Sequence, residues 1–167
     1  MIEQPRLAVI GLGYVGLPLA QSACRQGIPV VGFDTSLATV EGLRQGASHV
    51  DDLSDADIAA MLASAFTPTT DPQQLRPCNI YVICVPTPLS DEGGPDLTAV
   101  ISAANTVASV LSPGDLVVLE STTYPGTTEE VVAPILERSG LRGGFDFHLA
   151  FSPERIERRI LARTQGM

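Results

Sequence analysis

Gly11, Gly13 and Gly16 stand in the spacing G-x-G-x-x-G, directly after the apolar run Leu7–Ile10 and directly before an apolar stretch of helical character. That spacing suits the binding of a diphosphate. The first glycine permits a sharp turn out of a strand, the second lets a ligand come close to the backbone, and the third lets a helix pack tightly on the sheet. The free N–H groups and positive dipole end at the start of that helix are where phosphates would sit. A second apolar run, Val30 to Phe33, ends in Asp34, about twenty residues on, where a ribose-binding acid belongs. Asp34 is suited to accept both ribose hydroxyls and to repel a 2′-phosphate, so the ligand expected is NAD and not NADP. Asp34 is equally a candidate cap for the following helix, and the two roles can coexist.

Further chemistry-bearing residues cluster in three loops. These are Val85-Pro86-Thr87-Pro88, Ser121 to Gly126 with Thr122 and Thr123, and Ser152 to Arg155 with Glu154. Each loop follows an apolar run, and ligands of open parallel sheets bind beyond the carboxyl ends of strands. Thr87, Thr122, Thr123 and Glu154 are therefore expected to converge at the nicotinamide end of the cofactor. Glu154 has two readings, a general base acting through water or a helix-start carboxylate. The threonines likewise read either as site hydroxyls or as caps and turn residues.

The elements that must position these groups follow from the order of apolar runs. Strands are expected at Leu7–Ile10, Val30–Phe33, Phe66–Thr70, Asn79–Val85, Leu116–Leu119 and Phe147–Phe151, the third at an edge because it contains Pro68. Helices are expected over Leu17–Gln26, Ser36–Gln45, Ile58–Ala65, Leu97–Leu111 behind Asp96, and from Thr127 onward with a kink at Pro134. A short helical turn is expected after Asp71-Pro72. The alternation predicts an α/β, doubly wound, Rossmann-like parallel sheet of about six strands in one domain, ordered 3-2-1-4-5-6.

The chain of 167 residues is long enough for one domain with a real core. Its net charge is −9, and all ten basic residues are arginine. That acidity argues against nucleic acid or an anionic membrane as partner, though not against a phosphate held by backbone amides. Cys24, Cys78 and Cys84 form neither a disulfide frame nor a C-x-x-C metal motif. They read as packing thiols in a reducing compartment, with no metal site expected. The N-terminal apolar run is glycine-broken and reads as strand, turn and helix, which makes the cytoplasm the expected location.

Four blocks in order resemble the UDP-glucose/GDP-mannose dehydrogenase family. They are Ile10 to Pro18, Val85 to Pro88 with Pro95-Asp96-Leu97, Glu120 to Thr127, and Phe151 to Arg155. The resemblance runs from Arg6 to Ile156 and implies an NAD-dependent, two-step oxidation of a sugar C6 alcohol to a carboxylate. It implies that Gly11, Gly13, Tyr14, Val15, Gly16 and Asp34 hold the adenosine half of NAD, and that Val85, Pro86, Thr87 and Thr122 line the rest of it. It also implies that Thr123 and Glu154 serve around a catalytic water and a covalent intermediate. The Val-Pro-Thr-Pro-Leu and Ser-Pro-Glu-Arg forms resemble the branch acting on UDP-N-acetylhexosamines.

Some positions depart from the family pattern. Thr39 stands where the family commonly has a basic residue, and residues 157–167 form a divergent, arginine-rich tail. The family's cysteine block, its catalytic lysine and its asparagine are not found, and the 167 residues contain no lysine. The expectation is an NAD-binding domain over residues 1–156, truncated by a frameshift or early stop before the central dimerising helix and the UDP-binding domain. It would bind NAD, would oxidise a UDP-sugar only if the missing half were supplied, and would lack the family's usual homo-oligomer contact. The alternatives are a stand-alone NAD-binding module or a non-functional remnant.

Overall fold

The computed structural model describes residues 4–152. Six parallel strands of four residues each form one sheet: β1 (Leu7–Ile10), β2 (Val30–Phe33), β3 (Phe66–Thr69), β4 (Ile80–Ile83), β5 (Leu116–Leu119) and β6 (His148–Phe151). Their order is β3-β2-β1-β4-β5-β6, the doubly wound order expected, with β3 and β6 at the edges. Pro68 lies on the edge strand β3, where its missing N–H breaks no second ladder. The chain reverses its direction of travel across the sheet between β1 and β4. This is the switch point at which open α/β sheets hold ligands.

Alternation along each strand divides the interior into two layers. Ala8, Ile10, Tyr81, Ile83, Val117 and Leu119 point to one face, which is covered by α4 (Thr98–Ala108) and α5 (Ala133–Leu136) through Val100, Ala104, Val107, Ile135 and Leu136. Leu7, Val9, Val30 and Val82 point to the other, which is covered by α1 (Gly16–Arg25) and α3 (Asp55–Ser64) through Leu17, Ala20, Ile58 and Met61. The helix α2 (Leu37–Arg44) leans on β3 and buries Val40 and Leu43. The central strand β1 is buried along its whole length, as a parallel strand covered on both faces must be.

Strand β4 spans Ile80–Ile83, shorter at both ends than the expected Asn79–Val85, and three helices also depart from the sequence expectation. Helix α3 starts at Asp55, three residues before Ile58, because Ser54 and Asp57 form a capping box that draws the acids into the first turn. Helix α4 ends at Ala108, short of Leu111, and Asp96 tethers its start by accepting from the N–H and the hydroxyl of Thr98. The helix expected after Thr127 begins as a π turn, Thr128–Val132, before α5. Pro134 has no N–H for an ordinary α bond to residue 130, and its ring crowds that carbonyl, so the turn ahead of it is widened.

The capping box gives the fold a pH dependence at its acid end. The Ser54 backbone N–H, with its hydroxyl second, holds the Asp57 carboxyl below the ordinary value of 3.8. A carboxyl depressed in the folded state stabilises that state above the unfolded value, and the benefit disappears as pH falls through the folded one. Asp57→Asn should therefore lower stability at pH 7 and flatten its further loss between about pH 5 and pH 2, read from urea midpoints. Equal acid sensitivity in parent and variant would refute the role given to Asp57.

Candidate functional site

The turn between β1 and α1 forms one wall of an open cleft of about 1010 Å³ at the carboxyl edge of the sheet. Gly11 sits at φ +96°, and a Cβ there would lie 2.9 Å from the carbonyl oxygen of Cys84, just past β4. At Gly16 a Cβ would lie 1.8 Å from the Gly11 carbonyl oxygen. The two outer glycines are thus fixed by the close approach of strand, turn and helix. Gly13 differs, since a Cβ there meets no atom within 4 Å and the backbone is open on that side.

Asp34 is locked in place at the end of β2. Its Oδ2 accepts from Leu12 N–H at 3.0 Å and its Oδ1 accepts from Ser36 N–H at 2.9 Å. Each oxygen keeps a lone pair, so the carboxylate is oriented with capacity to spare for two more donors. Its bond to Ser36 shows the capping role as well, although the helix cap itself is Ser36, whose hydroxyl accepts from Thr39 N–H. Thr39 and Thr35 also line this end of the cleft.

The opposite wall comes from the loops after β4 and β5. Val85, Pro86, Thr87 and Thr122 all line the cleft. The Thr87 hydroxyl donates to the Thr122 carbonyl, and Ser121 Oγ donates to the Val85 carbonyl at 2.7 Å, so the two loops are tied twice. Cys84 Sγ lies 3.4 Å from Glu120 Oε2 at the base of this wall.

Of the residues singled out from sequence, Gly11, Gly13, Tyr14, Val15, Asp34, Val85, Pro86, Thr87 and Thr122 meet around one cleft. Gly16 stands behind it as packing. Thr123 does not line it; its Oγ1 is buried without a hydrogen-bond partner among the described residues. Glu154 lies outside the described residues. Sequence reasoning missed His49, Glu120 and the α4 residues Ser102, Ala103 and Thr106, and it took Cys84 for packing alone, whereas all of these reach the cleft.

Burial pushes the Cys78 thiol up to about 11 and raises that of Cys24. Both are therefore protonated near neutral pH and have no nucleophilic thiolate to offer. No group of three or more histidine, cysteine or acidic residues suitable for a metal occurs among the described residues. None of the described helices is long and apolar enough to cross a membrane.

Comparison with known proteins fits this geometry. The sequence profile of the UDP-glucose/GDP-mannose dehydrogenase family, NAD binding domain, matches residues 5–161. The chain belongs to this family. Its cofactor is NAD, and the cleft fits that group on its own evidence: open amides at a glycine turn, an oriented acid at the end of β2 and a switch-point location. Among its relatives is UDP-N-acetyl-D-glucosamine 6-dehydrogenase of Pseudomonas aeruginosa, 44% identical over 153 residues, an alignment covering 90% of this chain and 35% of the relative. Another is UDP-N-acetyl-D-mannosamine dehydrogenase of Pyrococcus horikoshii, 39% identical over 90% of this chain and 36% of the relative. A solved UDP-D-ManNAc dehydrogenase from Pyrococcus horikoshii superposes with a TM-score of 0.85 at 40% identity, covering 91% of this chain and 37% of that one. The chain thus spans little more than a third of the length of the relatives it matches.

Proposed function

We propose that the chain is the NAD-binding part of a nucleotide-sugar dehydrogenase that oxidises the C6 alcohol of a UDP-sugar, a UDP-N-acetylhexosamine in particular, to a carboxylate with two NAD. One observation carries the proposal: a rigid acid, an open glycine turn and a doubly tied pair of loops surround a single cleft at the switch point. The sugar assignment is supported by the relatives, which are a UDP-N-acetyl-D-glucosamine 6-dehydrogenase and a UDP-N-acetyl-D-mannosamine dehydrogenase.

Bound NAD would supply a hydride acceptor. The chain's own residues do the rest of the binding. The amides at the start of α1 face the diphosphate, with Tyr14 and Val15 alongside. Asp34 accepts the adenosine ribose hydroxyls and repels a 2′-phosphate. Val85, Pro86, Thr87 and Thr122 shape the wall along the nicotinamide end. Thr123 and Glu154 are assigned by resemblance to the region of the reacting sugar.

Two of the three cysteines are held as thiols by burial, and no lysine occurs in the 167 residues. By the family resemblance, whose cysteine and lysine blocks are not found in these residues, we assign the covalent step to groups outside them, and the domain, residues 1–156, binds NAD without turning over a sugar by itself. We place it in the cytoplasm, where NAD and UDP-sugars are made. Calorimetric titration with NAD and an assay for NADH with UDP-sugars test both halves. Heat of binding to NAD without NADH formation is expected. A silent titration would refute the cofactor site, and brisk NADH production by the 167 residues alone would refute the need for outside groups.

A further inference from the structure

His49 lies between α2 and α3, and its Nε2 is 2.6 Å from the carbonyl oxygen of Leu12, in the middle of the glycine turn. A carbonyl oxygen only accepts, so Nε2 carries the hydrogen and donates it. The N–H of the same Leu12 is held from the other side by Asp34 Oδ2 at 3.0 Å. Two successive peptide groups of the turn are thus gripped by side chains 22 and 37 residues away.

The direction of the grip matters. Among the described residues every peptide bond is trans, and in a trans peptide the N–H points opposite to the C=O. Holding the Leu12 carbonyl at His49 therefore aims the Gly13 N–H the other way. The amides of Gly13, Tyr14 and Val15 donate to no group among the described residues. They are ready donors whose direction, at Gly13, is set by one imidazole.

We propose that His49 is a positioning residue of the dinucleotide site: by holding the Leu12 carbonyl it fixes the Leu12–Gly13 peptide plane and keeps the Gly13 amide presented to the diphosphate. This rests on the assignment of the cleft to NAD. Preorganising a donor saves the ordering cost that binding would otherwise carry, so the effect falls on ligands that contain the diphosphate.

The test titrates the chain with NAD, with ADP-ribose and with adenosine, in the parent and in His49→Phe, His49→Ala and His49→Gln. Phenylalanine keeps a ring of similar size without a donor, and glutamine restores an N–H donor on a different frame. His49→Phe and His49→Ala should weaken NAD and ADP-ribose about tenfold and leave adenosine within about twofold, with His49→Gln recovering most of the loss. If the alanine variant fails to fold, the phenylalanine and glutamine pair carries the comparison. Unchanged NAD affinity in His49→Phe, or an equal loss for all three ligands, overturns the inference while leaving the cleft as the NAD site. A parent that binds adenosine but neither diphosphate ligand overturns the cofactor assignment and this inference with it.

Discussion

Gly16→Ala should unfold the domain at a temperature roughly 10 °C lower than the parent, a loss of about 3–5 kcal/mol. The new methyl would sit 1.8 Å from the Gly11 carbonyl oxygen, 3.0 Å from its carbon and 3.1 Å from Val9 Cγ1. Two of these three atoms are backbone, so no side chain can rotate away to make room. Relief requires α1 to move off β1, and α1 carries Leu17 and Ala20, both fully buried in the layer on that face. Gly13→Ala is the internal control. Its methyl meets no protein atom within 4 Å, so its melting temperature should match the parent's while its NAD affinity falls. Differential scanning calorimetry of the two variants decides the point, and a Gly16→Ala protein melting with the parent would refute the close packing.

Asp34→Ala should raise the dissociation constant for NAD by at least about a hundredfold. Two charge-assisted hydrogen bonds to the ribose are lost, each worth about 1.5–3 kcal/mol, and tenfold in affinity corresponds to about 1.4 kcal/mol. The Leu12 N–H also loses its acceptor, which loosens the glycine turn. Asp34→Asn keeps one oxygen and removes the charge. It should fall between parent and Asp34→Ala for NAD, and it should narrow the preference for NAD over NADP because the repulsion of a 2′-phosphate is gone. Parallel titrations with the two dinucleotides measure both effects. If Asp34→Ala binds NAD as tightly as the parent, the ribose is not held at the end of β2.

The central strands were legible because β1, β2 and β5 are short apolar runs closed by Gly11, Asp34 and Glu120 and β4 is an unbroken apolar run, and burial on both faces leaves little else for such runs to be. Asp34 was legible for the same reason, since it ends a run at the spacing that a dinucleotide fold requires. His49 was not. It stands in a polar stretch beside Asp51 and Asp52, and only the tertiary fold carries it to Leu12. Spacing alone did not separate Thr122 from Thr123; the family resemblance did, giving Thr122 to the cofactor wall and Thr123 to the reacting sugar. Adjacent hydroxyls in an irregular loop have no period to separate them, and the backbone path alone puts Thr122 at the cleft and turns Thr123 inward. The early start of α3 was hidden because acids ahead of an apolar run read equally as linker or as first turn, and the reciprocal bonding of Ser54 and Asp57 decides it.

The double tie between Thr87 and Thr122 and between Ser121 and Val85 makes the two lips of this cleft wall a single mechanical part. Neither lip can be reshaped by itself, because a change on one is transmitted to its neighbour through the shared bonds. Any retuning of the shape of that wall must therefore revise both lips together.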